Sequence, residues 1–332
     1  MTAAVTTNHG LRTTNSVVCL LRSEYLVLLL STIYFLAFAP FTPGFATPDN
    51  FANILATLLP LFMVAVGQTV VLITGGIDLS VTSIIALTSV TGAAAMSNDH
   101  GWLAGSPFAV PVGILLMLLV GALVGLLNGV AITRFRMPPF IVTLTAMMFF
   151  SGLAVWLTKS KNIGNLPAAF NALGGKTSLA FLVVAALAAA AHLMLSRSLW
   201  GRWLYAVGHN PRASLISGVP VSGVVVSAYV ISGLLAAVAA VLYTGQAESG
   251  SPVLAQRLLL DIVGATVLGG TSLFGGKGKI LWTLFGVLFL KLIDNSLNLL
   301  DLSYFSIMMV KGAVILFAAL MDALKNKVFL GK

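Results

Sequence analysis

The sequence predicts an all-α, polytopic membrane protein with about ten transmembrane helices, some of them broken or re-entrant, and with both termini in the cytoplasm. Three observations predict it. Of 332 residues, 58% are hydrophobic and only 8% are charged, with a mean hydropathy of +1.03. A soluble domain carries about 25% charged residues, so these few charges do not cover a water-exposed surface. Apolar runs of helical length recur along the chain without the alternation of barrel strands, and inside lipid every backbone group needs an internal partner. Lysine and arginine are also unevenly placed. With the N-terminus inside, Arg12, Arg22, Arg134, Arg136, Arg197, Arg202, Arg212, Lys277, Lys279, Lys325, Lys327 and Lys332 fall on the inner side, against Lys159, Lys161, Lys176 and Arg257 outside. That bias makes the net charge of +9 a matter of topology and argues against a nucleic-acid partner.

The elements follow in order. Residues 1–21 are expected to form a cytoplasmic tail, with no short apolar core ahead of a small-residue cleavage site. Cys19 cannot form an intrachain disulfide and reads as a small apolar filler. A membrane domain is expected over 22–323 and a cytoplasmic C-terminal tail over 324–332. Candidate spans lie near 22–39, 53–74, 79–96, 109–133, 140–158, 178–195, 221–243, 258–270, 279–298 and 304–322. The first, Tyr25 to Ala39, is a little short for a core of about 30 Å. "GALVG" at 121–125 has the spacing of small residues that lets helices pack closely, here within the chain rather than between copies. Aromatic residues at span ends, such as Trp156, Trp200, Tyr243 and Tyr304, suit interfacial belts.

Two junctions are built alike. "VLITGGIDLS" (71–80) and "VLGGTSLFGG" (267–276) each place a glycine pair after an apolar helix, followed by a polar residue and leucine. Short, glycine-interrupted segments are the mark of broken membrane helices. Gly75, Gly76, Gly269, Gly270, Gly275 and Gly276 let the backbone turn at positive φ or approach its neighbours closely. Asp78 or Ser272 then stands where it could cap a helix start, and Ser80, in the same hairpin, is a further pathway candidate. Two readings of Asp78 remain: a cap on the third span, or a group that lines a pathway or binds the cytoplasmic loops.

The longest inner loop, "SRSLWGRWLYAVGHNPRASLISGVPVSG" (196–223), predicts two short helical stretches around a Gly-His-Asn-Pro break at 208–211. His209 has no cysteine, carboxylate or second histidine near it in sequence, so neither a metal site nor a nucleophile is indicated. The loop is either a positive anchor or a docking surface for a soluble partner.

On Gly201, Arg202, Ala206, Gly208, Asn210, Ala213 and Gly218 this loop resembles the "GR…AVG.N..A……G" loop of sugar-type ABC importer permeases, the ribose, xylose, arabinose and galactoside branch. "GGIDLSV" (75–81) and "GGTSLFGGKG" (269–278) resemble two further signatures of that family, in the same order, and the likeness extends over roughly residues 50–322. Departures are Thr82 after the first signature, Leu259 where a glutamate precedes Leu-Asp, and "LWTLFG" at 281–286. The resemblance implies that the loop at 196–219 touches a cytoplasmic ATPase, that a periplasmic substrate-binding protein delivers the solute, and that a second permease copy or a sister permease completes the pathway. It implies no cofactor in this chain, with ATP and magnesium on the partner. The chain contains no Gly-x-x-x-x-Gly-Lys-Ser/Thr phosphate loop.

The remaining intramembrane charges suit structure better than a proton relay. Lys291 and Asp294 are three residues apart on one helix face, and Lys311 is expected to face them, with Asn295 and Asn298 beside the pair. The sequence thus leads to a permease subunit of an ABC importer for a monosaccharide or related polyol. A stand-alone secondary transporter or channel is the alternative, and a membrane enzyme is disfavoured because no catalytic pair shares a motif.

Overall fold

The computed structural model describes residues 26–99 and 101–330, with side chains assigned to Phe317 and at Leu320. Cys19, Tyr25, the expected tail over 1–21, Arg12, Arg22 and Lys332 lie outside the described residues. The described chain is helical throughout. Its strand-like pairing is confined to one antiparallel bridge between Ile163 and Gly250.

Each of the ten apolar runs coincides with a helix: α1 (Leu26–Phe38), α2 (Pro48–Ile73), α3 (Val81–Met96), α4 (Ala109–Arg134), α5 (Pro139–Thr158), then α7 (Thr177–Arg197), α10 (Val221–Ala247), α11 (Leu259–Leu268), α12 (Ile280–Leu299) and α13 (Tyr304–Leu330). Three shorter helices are interposed: α6 (Ala168–Gly175), α8 (Leu199–His209) and α9 (Pro211–Ile216). Six helices, α2, α4, α5, α7, α10 and α12, are long and apolar enough to cross a membrane. The others are shorter over their described apolar length, and α11, with 10 residues, reaches only about 15 Å. The run expected over 258–270 is therefore half a span. α6 has no counterpart among the expected elements, because eight residues give too little periodicity to stand out.

α2 is the axis of the molecule. It packs against α10, α12, α11 and α7, and its inner two-thirds are buried on every side. Thr47 caps its first turn through the Asn50 N–H (3.4 Å), and Pro48 takes the position where a missing N–H costs nothing. Pro60 lies inside the helix, so the Ala56 carbonyl loses its partner. The Gln246 amide of α10 replaces that partner at 2.9 Å.

α10 carries the closest helix pairing, with α4. Gly121 abuts Gly233, Gly125 abuts the Tyr229 backbone, and Gly129 abuts Val226. A Cβ at any of the three would run into that backbone, so the expected small-residue motif works inside one chain. The outward faces of α4, α5 and α7 are lined with exposed leucine, phenylalanine and valine, which is how a lipid-facing surface is composed.

On the other side, α11, α12 and α13 share an ion cluster. The Lys311 ammonium donates to Asp261 (2.9 Å) and Asp294 (3.1 Å), and Lys291 lies 3.8 Å from Asp294. Asp261 enters this cluster although in sequence it lies alone on another segment. Asn295 and Asn298 do not join α12 to α13. Asn295 exchanges two hydrogen bonds with Asn50 of the loop-to-α2 start (2.8 and 2.9 Å), and Asn298 bonds to its own helix at the Asp294 carbonyl. Trp200, expected in an interfacial belt, turns inward, as does Tyr34 of α1. Trp200 donates to Ser227 (2.7 Å), and the Tyr34 hydroxyl pairs with Ser296 (2.7 Å).

Candidate functional site

Three segments far apart in sequence meet at one end of α2. The first is the break after Ile73. Gly75 has φ +82, which lets the chain reverse, and Gly76 lies so close to the Tyr229 hydroxyl that a Cβ would stand 2.6 Å from it. Asp78 follows and is 0% exposed. Its Oδ1 accepts from the Ser80 N–H (3.0 Å) and hydroxyl (2.6 Å), and its Oδ2 accepts from Ser232 of α10 (2.9 Å). Asn128 of α4 donates in turn to the Ser80 hydroxyl (2.8 Å). The Ile77 carbonyl receives Tyr229 (3.2 Å) and Thr143 (3.3 Å). A buried carboxylate is tolerated when its lone pairs are filled in this way, and three donors from two residues, Ser80 just ahead of α3 and Ser232 of α10, make Asp78 the knot that ties the break to α10. Ser80 precedes α3 but makes no side-chain cap, since its hydroxyl is committed to Asp78.

The second segment is the loop with α8 and α9. Ser198 caps α8 through the Gly201 N–H (3.0 Å). Gly201 has no room for a Cβ against the Leu195 carbonyl, which fixes the tight turn out of α7. Asn210 donates its N–H to the Ala206 carbonyl (3.0 Å), closing α8, and its side chain accepts from the Ala213 N–H (3.0 Å), opening α9. Gly218 ends the loop at φ +82. Arg202 donates its backbone N–H to the Ser198 carbonyl (3.4 Å), while its exposed side chain makes no hydrogen bond or ion pair among the described residues.

The third segment is the junction 269–279 between α11 and α12. Gly270, Gly275 and Gly276 have φ of +85, +88 and +74, while Gly269 is needed for its contact with the Trp282 backbone. Ser272 does not start a helix: α12 begins eight residues later, at Ile280, and the Ser272 hydroxyl accepts the Phe274 N–H (3.2 Å) inside the turn. Phe274 is 93% exposed.

The three segments touch through backbone. The Gly276 N–H donates to the Ile73 carbonyl (2.9 Å), and Gly75 lies against the Phe274 carbonyl. Gly208 is wedged between them. It is the penultimate residue of α8 and helical, so the expected break at 208–211 falls at Asn210, after it, and it needs no positive φ. It must be glycine because a Cβ would overlap the Ile73 carbonyl oxygen and stand 2.6 Å from the Gly276 nitrogen. Tyr205, one turn earlier, donates to the Gly278 carbonyl at 2.7 Å. Burial pushes the Tyr205 phenol up from its ordinary value, so it stays protonated as a donor. Tyr205 escaped sequence reasoning, although its i,i+3 relation to Gly208 places both on one helix face. The site thus joins the α8–α9 loop to the ends of α2 and of the α11–α12 junction. Among the described residues no group of three histidines, cysteines or carboxylates could hold a metal ion.

Comparison with known proteins places this joint in context. Residues 50–319 match the family described as "Branched-chain amino acid transport system / permease component". The chain belongs to this family of permease components. It is 39% identical over 291 residues to the ribose import permease protein RbsC of Bacillus subtilis (strain 168), covering 86% of this chain and 88% of that protein. It is 33% identical over 310 residues, 92% of either chain, to the L-arabinose transport system permease protein AraH of Escherichia coli (strain K12). Over 291 residues it is 31% identical to the L-arabinose ABC transporter permease protein AraH of Azospirillum brasilense, covering 84% of this chain and 81% of that one. No solved structure matches the chain. The permease is a membrane protein, and its relatives are transport components rather than enzymes.

Proposed function

We propose that this permease is the membrane-spanning subunit of a bacterial ATP-binding-cassette importer, seated in the plasma membrane, that passes a monosaccharide or related polyol inward. A periplasmic binding protein delivers the solute, a separate cytoplasmic ATPase holds ATP and magnesium, and a second copy or a sister permease completes the pathway. The carrying observation is the joint at Gly208: the loop that resembles an ATPase-docking element is packed, backbone to backbone, onto the ends of the two glycine-interrupted segments. The names of the relatives, ribose and arabinose permeases, support a sugar of that size.

In this reading both termini are cytoplasmic and the ten helices of the apolar runs lie within the membrane, the short α3 and α11 as broken elements. The tail over 1–21, the membrane domain 22–323 and the tail from 324 keep their expected roles. α13 continues unbroken through Leu330, so the C-terminal tail starts as an extension of that helix. Reconstitution tests the proposal. Proteoliposomes with the permease, its co-expressed ATPase and binding protein, and internal ATP should accumulate labelled ribose or arabinose. Accumulation against a gradient by the permease alone would sink the reading in favour of a stand-alone carrier.

A further inference from the structure

The loop and the α11–α12 junction are separate segments joined by a small number of polar contacts. α8 reaches the junction through the Tyr205 hydroxyl on the Gly278 carbonyl (2.7 Å) and through Gly208 against Gly276. The junction reaches α2 through the Gly276 N–H on the Ile73 carbonyl (2.9 Å). α8 is held at its other end by Trp200 on Ser227 of α10. It is therefore a short lever, fixed near its N-terminus on α10 and bearing near its C-terminus on the junction and on the end of α2 at Ile73. The junction contains three glycines at positive φ and no regular structure between Gly269 and Lys279, so no helical hydrogen-bond ladder ties its shape to α11 or α12. It also feeds directly into the ion cluster, because α11 carries Asp261 and α12 carries Asp294, both on Lys311.

We propose that the 269–279 junction is the element that follows the loop during the transport cycle, and that Tyr205 is the positioning residue that makes it follow. The proposal rests on the ABC reading above. When the ATPase displaces α8, the hydroxyl pulls the Gly278 carbonyl with it, and the start of α12 moves with the loop while α2 pivots at Ile73. Without the hydroxyl, α8 still docks, because Tyr205 bonds the junction and leaves the exposed face of the loop, with Arg202, untouched.

The test is hydrogen exchange on the complete complex with ATPase, with and without ATP plus vanadate, for the wild type and Tyr205→Phe. In the wild type, both the 196–219 loop and the 269–279 junction should change exchange rate on trapping. The Gly276 amide reports directly, since it donates to Ile73. In Tyr205→Phe the complex should assemble and the loop should respond as before. The junction response and the stimulation of ATP hydrolysis by loaded binding protein should fall roughly two- to tenfold, the range one hydrogen bond commands. A wild-type junction that ignores nucleotide while the loop responds overturns the proposal, as does a Tyr205→Phe junction that responds fully. A loop that itself ignores nucleotide, or an ATPase that never binds, overturns the ABC reading first and this inference with it. The wild-type arm decides the matter even if Tyr205→Phe fails to fold.

Discussion

At the scale of single residues, the two roles open to Asp78 separate in one pair of substitutions. Its carboxylate has three donors and no cation within hydrogen-bond reach among the described residues. Asp78→Asn keeps one carbonyl oxygen for the Ser80 N–H, and its amide can donate to Ser232, whose hydroxyl accepts as readily as it donates. Asp78→Ala leaves the Ser80 N–H and the Ser232 hydroxyl unpaired in a dry interior, at about 1–3 kcal/mol. Thermal unfolding in detergent should therefore show Asp78→Asn near the wild type and Asp78→Ala several degrees lower, with transport following stability. A fully stable Asp78→Asn that has lost transport would show that the charge itself works in the pathway. Gly208→Val is expected to be worse than either, since a Cβ there overlaps the Ile73 carbonyl. It should insert into the membrane but lose binding-protein-stimulated ATP hydrolysis. Arg202→Lys tests the opposite situation, an exposed side chain with five donors in a plane and no internal partner. It should leave unfolding unchanged and weaken stimulation, whereas normal stimulation would return the loop to being a topological anchor.

At the scale of elements, the half-span α11 packs its buried Ile262 and Ala265 on α2 and α12, and the ion cluster adds a polar tie from it to α12 and α13. Lys311 touches both carboxylates, so Lys311→Met strands Asp261 and leaves Asp294 with only Lys291 at 3.8 Å. Breaking a buried pair by removing one partner costs about 3 kcal/mol or more, so the variant should unfold markedly earlier. Lys311→Met combined with Asp261→Leu should recover much of that loss, because the isolated charge is gone; a double variant as unstable as the single one would remove the pairing from the account. The elements were unevenly legible in the sequence. Long apolar runs show as helices because lipid leaves them no alternative, and α8 and α9 show because Asn210 and Pro211 mark the break between them. α11 was overestimated since hydropathy runs on into the glycine junction, and α6 was invisible. The site was half legible. The glycines of all three segments stand out, but that they meet does not, because contact between residues 73, 208 and 276 is a property of the packed chain. Asn128, Ser232 and Tyr205 carry no local sign that they bond to another segment.

At the scale of the whole molecule, the layers follow from where small and polar residues lie. α2 and α10 carry Gly67, Thr69, Ser232, Gly233 and Thr244 on buried faces and form the interior, while α4, α5 and α7 turn leucine and phenylalanine outward. The loop meets this interior at the end of α2 and, through Trp200 on Ser227, near the start of α10, so the side of the membrane on which the loop lies decides what can act on it. The loop carries Arg197, Arg202 and Arg212, and the neighbouring junction carries Lys277 and Lys279, whereas the opposite ends carry Lys159, Lys161, Lys176 and Arg257. In the proposed orientation, which follows the positive-inside bias, the joint faces the cytoplasm and the ATPase proposed above, and the Ile163–Gly250 bridge and the Asn165–Asp99 contact (2.6 Å) face outward, toward the proposed binding protein. Single-cysteine labelling reads this directly, once Cys19 is replaced. A cysteine at Arg212, exposed on the loop, should react with a membrane-impermeant maleimide only after cells are opened, and one at Lys161 should react in intact cells. Reporter fusions after Gly10 and after Leu330 should both give a cytoplasmic signal. If Arg212 is labelled from outside, the joint faces the wrong compartment for ATP, and neither the loop as a docking element nor the junction as its follower survives.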